Sequence, residues 1–295
     1  MNKLIALEWM KLRKRPLPWA WLIPLVLLAA ATVLLTYLGG SAIDDRAGGT
    51  AGQGAQMARS MILRGATLPG AIISSMNFVA GFGALALGVI AALSVGNEYG
   101  WGTIRLMLTR GTGRINLWVS KIVIMLIFAF ATALMAVLVG ILSGLLVGTF
   151  PSGQAEEWLN GEGLTTILMQ LGAGTLALWS FGLLGILAAT FFRSPIAGVV
   201  ATLGYIIVEN IFLNPLLALA ATQSGLLGGL SHIREYLVGN NTGALLHAAN
   251  PHSWGTVSLS LVSISGWQAL AYLLILCASC IGLSLWRIQT ADVTE

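Results

Sequence analysis

The sequence predicts an all-α integral membrane protein of six transmembrane helices with both termini on the cytoplasmic side. Three observations carry this. Charged residues are only 9% of the 295 residues and apolar ones 57%, with a mean hydropathy of +0.86, whereas a soluble domain of this length needs far more polar surface. Six apolar runs are each long enough to cross the roughly 30 Å hydrocarbon layer, which takes about 20 residues. Lys and Arg fall mostly into alternate gaps between those runs, and such residues are retained on the cytoplasmic side.

Residues 1–16 plot as a short amphipathic helix, with Ile5, Trp9 and Leu12 on one face and Lys3, Glu8, Lys11, Lys14 and Arg15 towards the other. Such a helix lies flat on the inner membrane surface, and Pro16 and Pro18 end it. The remainder, 17–295, reads as one six-span domain. The spans fall at about 19–38, 71–96, 117–150, 164–192, 195–219 and 266–286. All six are expected to be helices, because lipid offers no partner for loose backbone groups. The first run follows a basic segment, but its span length and the five runs behind it argue against a cleaved signal peptide.

Between these runs the gaps differ in character. The first outer gap, 39–70, is rich in Gly, Ala and Ser and reads as a flexible loop with one short helix near 56–64. From Glu98 to Arg114, Trp101, Ile104 and Leu108 recur at helical spacing as one apolar stripe, with Arg105 and Thr109 away from it. This predicts a short inner amphipathic helix. Phe192-Arg193-Ser194-Pro195 is nearly the shortest turn that two antiparallel helices allow. The last outer segment, 220–265, carries all three His, at 232, 247 and 252, and is apolar enough to form helices packed on the outer ends of the spans.

Orientation follows from the charges. Lys3, Lys11, Arg13, Lys14, Arg15, Arg105, Arg110, Arg114, Lys121, Arg193 and Arg287 fall on one side, and Arg46, Arg59, Arg64 and Arg234 on the other. Topology therefore explains the basic balance, and nucleic acid is not an expected partner. Small residues recur at every fourth position, at Ala80, Ala84, Gly88, Ala92 and Gly96, and again at Ala136, Gly140, Gly144 and Gly148. Such stripes allow close helix approach, either within one chain or at a dimer seam.

The chemistry is sparse. No Gly-Lys pair occurs, so the chain has no P-loop and any ATP must be bound by another chain. Ser263-Ile264-Ser265-Gly266 invites comparison with an intramembrane hydrolase, but no His lies in a span to serve as base. His247 and His252 have no acid or thiol near them, so no metal site is expected. Cys277 and Cys280, inside the last span, read as small apolar residues. The chain is not expected to be an enzyme. Glu209 is the only acid inside a predicted span, about 21 Å along the helix from Pro195. An ionisable group there is a candidate for the translocation pathway, with a paired or interfacial structural role as the alternative.

The segment Glu98-Tyr99-Gly100-Trp101-Gly102-Thr103-Ile104-Arg105, continuing through Leu108-Thr109-Arg110-Gly111 to Arg114 and Lys121, resembles the membrane subunits of ATP-binding-cassette exporters of the type-2 permease class. In that family the segment between the second and third spans is a coupling helix that docks on a separate ATPase. The resemblance implies ATPase-coupling roles for Glu98, Trp101, Gly102, Thr103, Ile104, Arg105, Leu108 and Arg114. Leu7 to Pro16 looks like the family's connecting helix, which implies roles for Glu8, Lys11, Arg13, Lys14 and Arg15. Arg193 and Ser194 match its second inner turn. The resemblance further implies two permease chains, with the second and fifth spans nearest their shared axis, working with two ATPase subunits that bind the ATP and Mg, in a cell membrane and by this class the bacterial inner membrane. A secondary transporter or a non-transporting membrane scaffold is the alternative; the former is expected to show inverted repeats and several intramembrane charges.

Overall fold

The computed structural model describes residues 2–47, 53–109, 113–149, 161–221, 229, 231–251 and 264–290. Helix α1 spans Asn2–Lys14, α2 Pro16–Ala47, α3 Gln53–Ala66, α4 Gly70–Gly100, α5 Thr103–Thr109, α6 Arg114–Gly148 and α7 Gly161–Phe192. After them come α8 (Pro195–Ile207), a π-helical turn (Val208–Leu213), α9 (Asn214–Ala220), a 3-10 turn (Ser231–Tyr236), α10 (Val238–Ala248) and α11 (Gly266–Thr290). Among the described residues there is no strand, and six helical stretches are long and apolar enough to cross a membrane. They match the six predicted runs. Most of their ends extend further, the third stopping at Gly148, because a helix continues past the hydrocarbon until a breaker or a cap stops it.

Helix α4 is the axis of the bundle. It packs most extensively on α7, then on α6 and α8, and its small-residue stripe is buried along its whole length. Each stripe is consumed inside the chain. A Cβ on Gly140 would collide with the backbone of Ile72 on α4, and at this crossing Ser75 Oγ donates to the Ala136 carbonyl at 2.8 Å. Gly96 lies directly against Pro195 at the α7–α8 turn. The stripe from Ala80 to Gly96 is thus an internal packing surface, the first of the two alternatives. Close approach replaces the hydrophobic drive that lipid cannot supply.

The predicted 98–114 helix is also revised. Helix α4 runs on to Gly100, so Glu98 belongs to its last turn, and α5 covers only Thr103–Thr109. Arg110 and the side chains of Arg105 and Leu108 lie outside the described residues. The short helix expected near 56–64 is present as α3, and the last outer segment supplies α10 packed against α11 and α7.

Candidate functional site

Four ionisable side chains from three elements meet at one end of the bundle. Glu8 and Lys11 lie one turn apart on α1, Glu98 is in the last turn of α4, and Lys121 lies two turns into α6. Lys11 Nζ is 2.8 Å from Glu8 Oε1 and 2.8 Å from Glu98 Oε1. Lys121 Nζ is 2.8 Å from Glu98 Oε1 and 3.3 Å from Glu8 Oε2. Glu8, Glu98 and Lys121 are buried, Lys121 completely, while the Lys11 side chain keeps 28% of its exposure. Two acids and two bases give zero net charge, which is how buried ions are tolerated. Burial alone would depress the Lys11 ammonium, but hydrogen bonds to Glu8 and Glu98 outweigh it and hold its pKa above the usual 10.5.

This cluster, together with Leu12 from the expected apolar face, sets how α1 docks. The buried residues of the helix include Glu8 and Leu12, whereas Leu7, Trp9 and Met10 are exposed. The face carrying Glu8 and Lys11 therefore turns towards the protein. The reason is electrostatic: Lys121 and Glu98 on the bundle are the complement that this polar face requires. The sequence placed Lys121 in the motif without a role. An ammonium inside the third apolar run was the available signal, since ionisable groups are not kept in spans without cause.

From the cluster, the chain leads straight to the surface. The Trp101 N–H donates to the Asn97 carbonyl at 2.9 Å, and Gly102 takes a φ of +65°, the left-handed conformation in which glycine ends helices without strain. Thr103 Oγ1 donates back to the Glu98 carbonyl at 3.3 Å, tying the start of α5 to the cluster. Trp101 is 66% exposed, with the Arg15 guanidinium 5.7 Å from its ring centroid. Ile104, expected on the same apolar stripe, is only 4% exposed and belongs to the bundle core. The stripe is split because the turn at Gly102 separates Trp101 from α5.

The remaining predicted residues gather at this end. Arg114 Nη1 donates to the carbonyls of Ile288 and Gln289, both at 3.3 Å, closing the last turn of α11. Arg193 adopts a φ of 50°, and Ser194 Oγ accepts from the Ala197 N–H at 3.4 Å to cap α8. Arg13 and Lys14 are exposed on α1.

Glu209 lies far from this cluster in sequence and in role. It sits in the π-helical turn, fully buried, and accepts from the Gly239 N–H at the start of α10. The Tyr205 hydroxyl and the Asn240 N–H also face it. A carboxylate at a helix N-terminus is favourably placed against the orphan N–H groups. Nearby, Asn240 Nδ2 donates to Asn214 Oδ1 at 2.8 Å, Gln170 Nε2 to the Leu246 carbonyl at 2.8 Å, and the Tyr272 hydroxyl to the Tyr236 carbonyl at 2.7 Å. Glu209 is thus one of several anchors that dock α10 and its 3-10 turn on the bundle. His252 and Ser263 lie outside the described residues.

The six helices among the described residues that are long and apolar enough to cross a membrane mark the class as an all-helical membrane protein. The family described as "Protein of unknown function (DUF2705)" matches residues 60–294, most of the chain, and the chain belongs to that family. That match takes in Glu98, Lys121 and Glu209 but begins after α1, so Glu8 and Lys11 lie ahead of it. No curated protein matches the chain.

Proposed function

We propose that the chain is the membrane subunit of an ATP-binding-cassette exporter, forming the translocation pathway and taking its energy from a separate ATPase. The observation that carries this reading is the four-residue ion cluster. It fixes α1, the end of α4 and α6 as one body, from which α4 continues in a few residues to the exposed Trp101 and the half-buried Arg15 beside it. A push delivered at that surface would pass into α4, which touches four other spans, instead of being absorbed by a loose loop.

In this reading the clustered end faces the cytoplasm with both termini, at the cell membrane and by class the bacterial inner membrane. The partner binds ATP and Mg. A second permease chain completes the pathway. Since the α4 stripe is occupied internally, the exposed apolar face of α8, the π-helical turn and α9, with Ile196, Val200, Ile211 and Leu216, is one of the faces open to that chain or to lipid. Purification in gentle detergent is the test. A soluble P-loop protein should co-purify with the parent and be lost from Trp101→Asp with the fold retained. Equal recovery with the variant overturns the coupling role, and absence of any such protein from native membranes overturns the class.

A secondary transporter is the second reading, favoured by the buried Glu209 in a π-helical turn within a span. Substrate movement driven by a proton gradient without ATP in reconstituted vesicles would select it.

A further inference from the structure

The polar inward face of α1 leaves an apolar groove beside it. Ile5, Ala6 and Trp9 of α1 and Ile124 and Ile127 of α6 line an open groove of about 320 Å³, within the roughly 300–1,000 Å³ range of small-ligand sites. The five lining residues are all apolar. A water-filled groove of this kind would be unfavourable, whereas a hydrocarbon chain would bury the walls. Its depth in the membrane is marked by tryptophans: Trp9 at the groove and Trp19 and Trp21 at the start of α2 are each partly exposed, as interfacial tryptophans are. Arg13 follows Ile5 and Trp9 at the same four-residue spacing on α1 and is exposed, so a cation stands one turn beyond the groove on the same stripe.

We infer that this groove is a binding site for one anionic phospholipid, an acyl chain lying between α1 and α6 and the phosphate meeting Arg13. Charge complementarity selects this occupant: an apolar slot under a guanidinium at interface depth matches a lipid that carries its negative charge directly above its chains. The site is independent of the ATPase reading. Lipid held there would fill the outer side of α1 while the ion cluster holds its inner side.

Native mass spectrometry of the full chain in detergent, with phosphatidylglycerol or phosphatidylcholine added, tests the inference. The parent should retain one phosphatidylglycerol about fivefold more strongly than phosphatidylcholine, the factor expected for one basic residue near a phosphate. Ala6→Phe, at an exposed position that fills the groove, should lose the retained lipid of both kinds. Arg13→Gln should keep retention but abolish the preference. Retention spread over many lipids without a distinct first one, or unchanged retention in Ala6→Phe, overturns the site. An unchanged preference in Arg13→Gln overturns the anionic assignment. Folding of each variant is checked by protection of Cys277 and Cys280, which are buried in α11.

Discussion

Removing the Lys121 ammonium while keeping the shape of its chain, as in Lys121→Met, should destabilise the protein far more than an ordinary substitution. The two carboxylates it serves are 2.8 and 3.3 Å away and both are buried. At an effective dielectric of about 20, a pair at 2.8 Å attracts by roughly 6 kcal/mol, and desolvation of the ions takes back several of those. The intact cluster therefore contributes little net. The variant, however, leaves two buried carboxylates with Lys11 alone, and breaking a buried pair from one side costs about 3–5 kcal/mol. Glu98→Met combined with Lys121→Met removes both charges and leaves the Glu8–Lys11 pair at 2.8 Å, so it should recover most of the loss. Cys277 and Cys280 report the outcome: each is 3% exposed, and a thiol-reactive dye will label them only as the bundle opens in a denaturant series. A single variant within about 1 kcal/mol of the parent, or a double variant as unstable as the single, would refute the reading of these four groups as one mutually compensating unit.

Other expectations follow from the same geometry. Trp101→Asp should leave stability within about 0.5 kcal/mol because the ring is exposed, whereas Ile104→Asp should unfold or mislocalise the protein by burying a carboxylate in the core; dye labelling of the two variants checks this. Docking of α1 should also respond to pH. Because the folded-state pKa of Lys11 is raised above 10.5, its contribution is complete below that value and is lost as pH rises through the higher folded value. Protease protection of α1 should therefore stay flat from neutral pH to about 10 and fall beyond it. Glu209→Gln retains an acceptor for the Gly239 N–H and should keep α10 docked, while Glu209→Leu orphans that donor at a cost of about 1–3 kcal/mol; hydrogen exchange of 238–248 distinguishes them. Loss of transport in Glu209→Gln with α10 still protected would assign Glu209 to the pathway. Gly239→Ala should loosen α10 in the same exchange assay, since a Cβ there would stand 2.8 Å from Glu209 Oε1.

The six spans were legible in the sequence because the requirement is local. Hydrocarbon penalises every unpaired backbone group, so an apolar run of sufficient length has only the helix available to it. The turn at 193–194 and the short helix at 53–66 were legible for related reasons, one from Pro195 and Ser194, the other from local helical composition between Gly-rich flanks. The split at Gly102 was harder to see. The spacing of Trp101, Ile104 and Leu108 is helical on paper, and only the positive φ of Gly102 shows that the first of them faces outward while Ile104 enters the core.

Sequence by itself determined the six apolar helices of membrane-spanning length found among the described residues, because composition and run length act residue by residue against a fixed solvent. It also supplied the residues of the ion cluster, Glu8, Lys11, Glu98 and Lys121, but not their meeting. They stand up to 113 positions apart, and nothing local in an acid on α1 specifies a base on α6. Tertiary packing decided that α1 turns Glu8 and Lys11 inward, that each small-residue stripe closes on another helix of the same chain, and that Glu209 anchors α10. In each case the deciding term is the cost of leaving a buried charge, a buried N–H or an unfilled helix contact without a complement, and that cost exists only once the helices are brought together.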